Sequence, residues 1–557
     1  MLRTFLACSL FTLAALTASA QPKAEAVTSK GGVVACVSPP AADAGLNALK
    51  SGGNAVDAAV ATAFAMAVTW PEAGIIGGGG FMMVAAPGKE PTCIEYRETA
   101  PAAAKVDLLA SGDIKVYDHK VAGVPGTVRG LELAHKKYGK LEWKAVVMPA
   151  VELAEKGFAV NAPLASGLNK VLADKQTTNA EFKRVYGKPD GKPWKAGDTL
   201  VLKDLGRTLR LIAEKGADAF YTGEPADLLA KEMKDGGGLV TKADLEGYKA
   251  NERKPIHTTF RGFDVFGPPP PSSGGIALAE MLNILETFDL KKHERHSPET
   301  MHLMIEAMKR AYADRAKHLG DPDFTKIPAE LTTKDYAKKL AATIDPKKAT
   351  PSTEIAPELL LKKESDSTTH FSVIDKDGLC VSNTYTLENS YGNRVVVRGA
   401  GYILNNEMTD FNWRTVTNTE GAIGTKPNEI APGKRMLSSM TPVIVLKDGK
   451  PVLVTGSPGG RTIINTVLCV VLNVTEYGMS VEDAVSAPRL HHQWFPDTAR
   501  FEDVKQPPSE LVKSLRALGH RVGPHGQGDA HSIGIDPKTG LRTGAADKRR
   551  DGKAVGE

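Results

Sequence analysis

The sequence predicts a mixed α/β fold, because stretches with helical periodicity alternate with stretches typical of strands. Two helices rich in small residues are predicted over 41–50 and 55–68, and four glycines at 77–80 lead into 81–84, an apolar run typical of a buried strand. A longer helix is predicted to start after Ser297, whose hydroxyl can cap it. The chain of 557 residues is long enough for several domains, but α/β folds can grow large around one core.

The first twenty residues are typical of a secretory signal peptide. Arg3 precedes an apolar run from Phe5 to Leu16, and Ala18-Ser19-Ala20 is a small-residue cleavage signal. The apolar run is shorter than the roughly 18 residues that make a membrane-spanning helix. We therefore expect residues 1–20 to be removed and the protein to be exported, to the periplasm or outside the cell. An uncleaved anchor is the alternative.

Composition argues against several classes of partner and site. Loss of Arg3 with the signal lowers the formal charge from +5 to +4, and there is no basic tail, so nucleic acid is not an expected partner. The cysteines that remain after Cys8 is removed are Cys36, Cys93, Cys380 and Cys469. Their spacing predicts no metal framework and no disulfide pattern, and separate core positions are the simplest interpretation. His491 and His492 lack a third ligand at recognisable spacing, so we predict no metal and no organic cofactor.

A predicted hairpin from Thr368 to Leu387 is the centre of the expected chemistry. Before it, the polar run 345–367 is typical of an exposed, flexible segment. The turn residues 375–378 set the strand pairing so that Thr386 lies beside Thr368. A cut before Thr368 would free an α-amino group of pKa about 8, a base suited to take the proton of its own hydroxyl. Taken alone, however, two threonines at a strand start are ordinary strand composition.

The hairpin resembles the γ-glutamyltranspeptidases, a family of N-terminal nucleophile hydrolases. The matching runs are Thr368-Thr369-His370-Phe371-Ser372-Val373 and Thr384-Tyr385-Thr386-Leu387, which resemble the start of the family's small subunit. The resemblance implies a four-layer αββα sandwich and a precursor that cuts itself between Ser367 and Thr368. It also implies one heterodimer of a large subunit, 21–367, and a small subunit, 368–557.

The resemblance implies residues that bind the two charged groups of a γ-glutamyl substrate. Arg97 would bind the α-carboxylate, since a guanidinium can hold a carboxylate in two parallel hydrogen bonds. Glu407 and Asp410 would hold the α-ammonium. Glu388 stands where many relatives have asparagine, and a glutamate there could accept a hydrogen bond from the ammonium but would repel a carboxylate.

Two further pairs complete the site that the resemblance implies. Ser438 and Ser439 would hydrogen-bond the substrate carboxylate. Gly459 and Gly460 follow a strand ending near Thr455, and glycine lets backbone N–H groups approach a reacting oxygen, as an oxyanion hole requires. Thr386 would orient the hydroxyl of Thr368.

The polar loop from Asn412 to Gly433 bears on the choice of substrate. A loop of this length in a compact protein is usually functional or disordered, and in the family it covers the γ-glutamyl pocket, whereas acylase-like members lack or shorten it. Its presence favours an enzyme that transfers the γ-glutamyl group of glutathione to water, amino acids or peptides. Two alternatives stay open: a family acylase acting on another amide such as a glutaryl β-lactam, and an uncut, exported γ-glutamyl binding protein.

Overall fold

Two stacked seven-stranded sheets form the centre of the molecule. The computed structural model describes residues 24–74, 76–108, 114–356, 368–412, 425–506 and 508–557. The predicted signal peptide, Ser367 and the middle of the predicted loop lie outside these residues.

The strands within the described residues are β1 (Glu25–Ser29), β2 (Val33–Cys36), β3 (Gly79–Ala85), β4 (Thr92–Glu95), β5 (Phe158–Ala159), β6 (Thr199–Leu200), β7 (Asn251–Arg253), β8 (Ile256–Phe260), β9 (Phe263–Gly267), β10 (Thr369–Ile374), β11 (Cys380–Thr386), β12 (Val443–Lys447), β13 (Lys450–Thr455), β14 (Leu490–His491), β15 (Ala499–Phe501), β16 (Val522–Pro524), β17 (Ser532–Ile535), β18 (Arg542–Ala546) and β19 (Lys553–Gly556). The α-helices of the same residues are α1 (Pro39–Lys50), α2 (Ala55–Thr69), α3 (Thr127–Tyr138), α4 (Trp143–Lys156), α5 (Ala162–Ala173), α6 (Ala180–Tyr186), α7 (Lys203–Lys215), α8 (Asp218–Tyr221), α9 (Glu224–Gly236), α10 (Lys242–Gly247), α11 (Gly274–Glu286), α12 (Pro298–His318), α13 (Lys334–Ala341), α14 (Ser352–Ile355), α15 (Thr462–Thr475), α16 (Val481–Ser486) and α17 (Glu510–Ala517).

The two sheets are antiparallel and are covered on their outer faces by helices. The first has the strand order β19-β2-β10-β11-β3-β4-β7, and the second β1-β18-β17-β13-β12-β9-β8. Strands β10 and β11 of the first sheet contact β13 of the second, α2 packs on β10 and β11, and α11 and α15 pack on the second sheet. The four-layer αββα fold implied by the resemblance is confirmed.

Helix α2 shows why the predicted small-residue segment is helical and buried. The side chain of Asn54 accepts hydrogen bonds from the first turn, and the Asp57 carboxylate accepts from the Asn54 N–H in return, which caps the helix. All residues of α2 are buried. Its small side chains allow close packing on α1, where a methyl group added to Gly45 would lie 2.2 Å from Thr62 Oγ1.

The predicted hairpin is strands β10 and β11, and its register brings the two threonines together. Thr369 pairs with Tyr385 and Ile374 with Cys380, which places Thr368 opposite Thr386. The turn is fixed by the Asp375 carboxylate, whose Oδ1 accepts hydrogen bonds from the N–H groups of Asp377 at 2.9 Å and Leu379 at 3.0 Å. Local turn chemistry therefore determines where Thr368 lies in the sheet.

Two further predictions concern the cysteines and membrane-spanning helices. The four cysteines predicted as separate core positions are buried and form no disulfide. Within the described ranges, no helix is both long and apolar enough to cross a membrane.

Candidate active site

The two threonines of the hairpin meet at its open end. Thr368 immediately precedes β10, Thr386 is the last residue of β11, and the Thr368 hydroxyl donates to Thr386 Oγ1 at 3.3 Å. Both side chains are buried. Thr386 Oγ1 also accepts a hydrogen bond from the N–H of Glu388 at 2.8 Å. Thr386, the predicted neighbour of Thr368, is thus held by the main chain that follows it.

A cavity of about 30 Å³ lies beside these threonines. Its walls are formed by Arg97, Thr368, Thr386, Glu388, Glu407, Asp410, Ser438, Ser439, Met440, Gly460 and Ile463. The structure therefore brings together all the predicted site residues in the described part of the chain except Gly459, which lines a neighbouring cavity. Sequence reasoning missed Met440 and Ile463, the apolar residues of the wall.

Arg97 is the centre of a buried charge cluster. It follows β4, is 1% exposed, and lies with Nη1 2.6 Å from Glu407 Oε2 and Nη2 2.5 Å from Asp410 Oδ2. Its Nη1 is also 3.3 Å from Glu98 Oε2. Main-chain contacts fix its position, since its Nε donates to Met436 O at 3.2 Å. One guanidinium thus faces three carboxylates.

Two carboxyl groups of this cluster, those of Glu98 and Glu407, resist ionisation. Burial raises the pKa of Glu98 to about 7, against the opposing charge of Arg97, and burial raises the pKa of Glu407 well above its usual range. Burial alone would lower the pKa of Arg97, but Glu407, Glu98 and Asp410 outweigh it and raise that pKa. Within the described residues, Glu98 Oε1 and Glu407 Oε1 accept no hydrogen bond. The cluster therefore has spare acceptors for a cation.

Sequence reasoning did not assign a role to Glu98. The only local signal is its position directly after Arg97, and an adjacent acid and base at a strand end are commonly surface groups. Here Arg97 and Glu98 are both buried, Glu98 completely, and they pair within the charge cluster.

Glu388 occupies a strained position on the cavity wall. Its φ is +78°, a left-handed conformation that non-glycine residues rarely adopt. Its Oε2 accepts a hydrogen bond from Asn406 Nδ2 at 2.6 Å, and its N–H donates to Thr386. These contacts hold Glu388 on the wall of the cavity that Thr368 also lines, and backbone strain of this kind is frequent at functional sites.

The two serines are positioned by a buried arginine that sequence reasoning missed. Arg315 on α12 donates from Nη2 to Ser439 Oγ at 2.9 Å, and from Nε to Ser273 Oγ at 2.9 Å. Ser273 in turn donates to the carbonyl of Ser438 at 2.7 Å. Because 124 residues separate Arg315 from Ser439, no local pattern could have indicated this contact.

The glycine turn after β13 has a backbone conformation that favours glycine at both predicted oxyanion positions. Gly459 has φ +127° and Gly460 φ +53°, values that favour glycine. A methyl group added to Gly459 would lie 2.4 Å from Thr462 Oγ1. The turn leads into α15, whose N-terminal end carries partial positive charge. Within the described residues, neither glycine donates its N–H to a protein acceptor, so both remain available to a ligand.

The ends of the predicted loop are joined beside Asp410. The N–H of Asn412 donates to Asn428 O at 2.8 Å, and its Nδ2 donates to Thr425 O at 2.7 Å. Asn428 Nδ2 donates to the carbonyl of Asp410 at 2.7 Å. The part of the loop over 413–424 lies outside the described residues, but its attachment points are next to the charge cluster.

Three histidines outside this cavity, His302, His491 and His520, have hydrogen-bond partners in the protein. His491 lies between Asn465 Nδ2 at 2.8 Å and Gln493 Oε1 at 3.0 Å. Ligand atoms of His302, Glu306 and His520 lie within 4.8 Å of one another. Glu306, however, already pairs with Arg310 at 2.8 Å and with Lys309 at 3.4 Å, and these cations would oppose a metal ion.

Comparison with known proteins identifies the family. A family model described as γ-glutamyltranspeptidase matches residues 41–557. A glutathione hydrolase proenzyme of Escherichia coli (strain K12) is 47% identical over 532 residues, covering 94% of this chain and 91% of that protein. The chain belongs to the γ-glutamyltranspeptidase family. This family membership confirms the prediction that the protein is an enzyme of the γ-glutamyltransferase and hydrolase class.

Solved structures agree with the fold. A cephalosporin acylase from Bacillus halodurans superposes with a TM-score of 0.85 at 26% identity, covering 98% of this chain and 99% of that chain. A γ-glutamyltranspeptidase of Helicobacter pylori matches with a TM-score of 0.55 at 40% identity, covering 57% of this chain and 93% of that chain. The fold is thus shared by acylases and γ-glutamyltranspeptidases, and the choice between them depends on the site.

Proposed function

We propose that this protein is a self-cleaving γ-glutamyltransferase and glutathione hydrolase with Thr368 as its nucleophile. The observation that carries the proposal is the placement of the Thr368 hydroxyl, 3.3 Å from Thr386 Oγ1, in one cavity with the charge cluster of Arg97. A hydroxyl nucleophile and a site for a zwitterionic amino-acid head are the two parts that γ-glutamyl transfer needs.

The first step is maturation. Thr368 Oγ1 attacks the carbonyl carbon of Ser367, the C–O bond forms, the C–N bond breaks, and the nitrogen of Thr368 takes up the hydroxyl proton. Water then hydrolyses the ester and leaves a carboxylate on Ser367 and a free amine on Thr368. The products are a large subunit, 21–367, and a small subunit, 368–557, with residues 1–20 removed during export.

The second step uses the new amine as the base. In the intact chain that nitrogen is a peptide amide and cannot accept the proton, so cleavage switches the enzyme on. The amine takes the proton of Thr368 Oγ1, which attacks the γ-carbonyl of glutathione. The N–H groups of Gly459 and Gly460 stabilise the oxyanion. The leaving amine takes up the proton, and a γ-glutamyl ester remains on Thr368.

The second half of the reaction regenerates the enzyme. Water or the amine of an amino acid or peptide attacks the ester carbonyl. The bond from the carbonyl carbon to Thr368 Oγ1 breaks, and Oγ1 takes back a proton. The products are glutamate or a new γ-glutamyl compound.

Substrate binding is proposed as an exchange of ion pairs. Arg97 is already paired with Glu407 and Asp410, so an α-carboxylate that reaches Arg97 replaces one of them. The displaced carboxylate then accepts the α-ammonium, with Glu388 on the same wall. Ser438 and Ser439 complete the carboxylate contacts. Each charged group of the substrate then lies beside a group of opposite charge, and a substrate lacking the ammonium would leave the displaced carboxylate without such a partner.

This exchange also distinguishes the proposal from acylase activity. A glutaryl amide carries the carboxylate but no ammonium, so it would leave the displaced carboxylate buried and unpaired. The identity of 36% to an acylase ACY 1 proenzyme of Pseudomonas sp. (strain SE83), against 47% to the E. coli glutathione hydrolase proenzyme, supports the same choice.

The decisive experiment is intact mass and N-terminal sequencing of the purified protein. We expect two fragments, the smaller beginning at Thr368, and one uncut chain for Thr368→Ala. Thr368→Ser keeps a hydroxyl and is the matched control, which should still cut. A wild-type chain that stays uncut would remove the proposed base and favour the binding-protein alternative.

A substrate pair then tests the chemistry. We expect cleavage of γ-glutamyl-p-nitroanilide to exceed that of glutaryl-p-nitroanilide by about 100-fold in kcat/KM, as expected when a buried charged hydrogen bond is lost. Equal rates on the two anilides would favour the acylase alternative.

A further inference from the structure

One buried polar face of helix α12 holds a part of the chain that precedes the proposed cut. His302, Glu306, Lys309 and Arg310 recur at intervals of three and four residues, so their side chains lie on the same face of the helix. All four are buried. Burial of such a face is costly unless its groups find partners. Here the partners lie in residues 343–352, which we call the docked segment.

Main-chain carbonyls of the docked segment accept hydrogen bonds from three of these side chains. The donors and acceptors are Arg310 Nη2 to Thr343 O at 2.9 Å, His302 Nε2 to Asp345 O at 2.8 Å, and Lys309 Nζ to Thr350 O at 2.8 Å. In the reverse direction, the N–H of Thr350 donates to Glu306 Oε1 at 3.1 Å. Because these contacts are made to the main chain, α12 fixes the path of the docked segment.

The end of the docked segment is held by residues that lie beyond the proposed cut. The N–H of Ser352 donates to Asp497 Oδ2 at 2.9 Å, and its hydroxyl donates to Trp494 O at 2.6 Å. Its carbonyl accepts from Trp494 Nε1 at 2.7 Å. Trp494 is fully buried and has φ +66°, a left-handed conformation that its surroundings must maintain. The N–H, hydroxyl and carbonyl of Ser352 are thus all bonded to the proposed small subunit.

Asp497 connects this end of the docked segment to α12. Its Oδ1 lies 3.5 Å from Lys309 Nζ and 3.3 Å from His492 Nε2. Burial alone would raise the pKa of Asp497, but His492, the N–H of Ser352 and Lys309 outweigh it and lower that pKa. Burial lowers the pKa of His492. With that imidazole neutral, the carboxylates of Asp497 and the α12 face balance the two cations of the face.

Helix α12 also contacts the cavity of the proposed nucleophile. One turn beyond Arg310, the same helix carries Arg315, whose Nη2 donates to Ser439 Oγ at 2.9 Å. On the other side of the proposed cut, Thr368 leads directly into β10, which is paired with β11. Along the chain, the bond to be cut therefore lies between two segments that are each held to the folded core.

We propose that the docked segment and its contacts with Trp494 and Asp497 are a positioning element for self-cleavage, and that the cut enzyme does not need them for turnover. The proposal rests on the proposed self-cleavage before Thr368. In that step the bond from Thr368 Oγ1 to the preceding carbonyl carbon forms, the C–N bond breaks, and the nitrogen takes up the hydroxyl proton.

The geometry of this attack depends on both sides of the bond. Thr368 Oγ1 is placed by the hairpin, whereas the orientation of the carbonyl that it attacks depends on the chain leading to it. A misplacement of about 1 Å can cost about 100-fold in rate. Turnover of the cut enzyme uses the hairpin, the charge cluster of Arg97 and the glycine turn, none of which contains a residue of the docked segment.

The first test measures the cleavage rate of newly made chains. After cell-free synthesis is stopped, intact mass over time gives the first-order rate at which the precursor becomes two fragments. We expect Asp497→Ala to slow this rate by about tenfold or more, because the N–H of Ser352 and the ammonium of Lys309 lose their partner. Once cut, the variant should have kcat and KM for γ-glutamyl-p-nitroanilide within about twofold of wild type.

Three further variants separate positioning from loss of stability. Asp536→Ala removes an exposed carboxylate that accepts from a main-chain N–H in a surface turn and should cut at the wild-type rate. Leu209→Ala opens a cavity under α7, in a different hydrophobic cluster from α12, and should lower stability without slowing the cut. Ser352→Ala loses one hydrogen bond and keeps the main-chain contacts, so its rate should lie between those of Asp497→Ala and wild type.

The second test asks whether Asp497 holds the docked segment before and after the cut. Amide hydrogen exchange of a peptide covering 343–356 should be equally slow in cut wild type and in uncut Thr368→Ala, because amides such as that of Ser352 are bonded within the protein. Asp497→Ala should speed this exchange by about tenfold or more and leave that of β10 unchanged.

Failure of this inference is distinct from failure of the proposed function. If wild-type chains are never cut, self-cleavage is wrong, and this inference with it. If wild type is cut and Asp497→Ala cuts equally fast, or exchanges as wild type does, only this inference is wrong. It is also wrong if the cut Asp497→Ala enzyme loses kcat in proportion, or if Leu209→Ala slows the cut as much, because the contacts would then serve general stability. If Asp497→Ala does not fold, Ser352→Ala decides by the same criteria.

Discussion

Two of the buried charge clusters in the described part of the chain differ in their balance of charge. Around Arg97, one guanidinium meets the carboxylates of Glu98, Glu407 and Asp410. In the second cluster, Arg489 and Arg549 meet Asp547 and Glu502, with Arg489 Nη2 2.5 Å from Asp547 Oδ2 and Arg549 Nη2 2.6 Å from Glu502 Oε2. The first carries an excess of negative charge when ionised, and the second carries none.

The carboxyl pKa values of the two clusters move in opposite directions. Burial alone would raise the pKa of Asp547, but Arg489 and Arg549 outweigh it and hold that pKa below its usual range. In the first cluster burial dominates and the pKa of Glu98 rises to about 7. A balanced cluster needs no further charge, whereas the excess carboxylates of the unbalanced one can pair with an added cation, which is the role we propose for the substrate's ammonium.

The largest expected difference is between removing Arg97 and removing Arg489. Arg97→Met should lower kcat/KM for γ-glutamyl-p-nitroanilide by about 100-fold or more, because the substrate carboxylate loses its charged partner. Its cost in the free energy of unfolding should be smaller, because neighbouring carboxylates can take up protons. Arg489→Met should destabilise the protein by about 3–5 kcal/mol, the cost of breaking a buried ion pair, with the donor KM unchanged in the folded enzyme.

The measurements are denaturant unfolding and steady-state kinetics on both variants, after mass spectrometry has established whether each chain is cut. If Arg97→Met were the more destabilising variant, or if Arg489→Met raised the donor KM, the distinction between the two clusters would be lost. Arg97→Lys keeps the charge without the planar fork and separates charge from geometry.

The next effect is a pH dependence of stability. The pKa of Glu98 in the folded protein is about 7, above the ordinary glutamate value of 4.5. Between these two pH values the folded protein keeps a proton that the unfolded chain releases, so the free energy of unfolding falls as pH rises. The fall is about 1.4 kcal/mol for each pH unit in this window, and about 3 kcal/mol across all of it. Glu98→Gln should remove this fall, so the variant should match wild type near pH 4.5 and exceed it at about pH 8.

Urea unfolding of both proteins across this pH range measures the difference. Glu510→Gln, at an exposed carboxylate, controls for the loss of one negative charge. Equal stability of wild type and Glu98→Gln at about pH 8 would show that Glu98 is ionised in the fold without cost, and the contrast with Asp547 would then fail.

The hairpin was predictable from sequence because its determinants are local. Asp375 fixes the turn, the turn fixes the register, and the register places Thr368 opposite Thr386. The helix starting at Pro298 was predictable for the same reason, since Ser297 Oγ accepts a hydrogen bond from Thr300 N at 3.1 Å.

The charge cluster was predictable only through resemblance. Arg97 and Asp410 are 313 residues apart, and no periodicity or spacing relates them. The burial of Glu98 and the contact of Arg315 with Ser439 depend on how the layers pack. The local sequence around these residues does not determine that packing. The layering itself also came from the family, since alternation of helices and strands is shared by many folds.

The smallest expected effect concerns Glu388, which is on the edge of the unbalanced cluster. Glu388→Gln keeps an oxygen to accept from Asn406 Nδ2 and removes only the charge. We expect the KM of γ-glutamyl-p-nitroanilide to rise about three- to tenfold with kcat nearly unchanged, the effect of weakening one of several contacts to the ammonium. Glutaryl-p-nitroanilide has no ammonium, so the variant should not raise its KM. A rise in KM of equal size for both anilides would show that Glu388 acts on binding through the shape of the cavity and not through the ammonium. No rise for either would limit the ammonium site to Glu407 and Asp410.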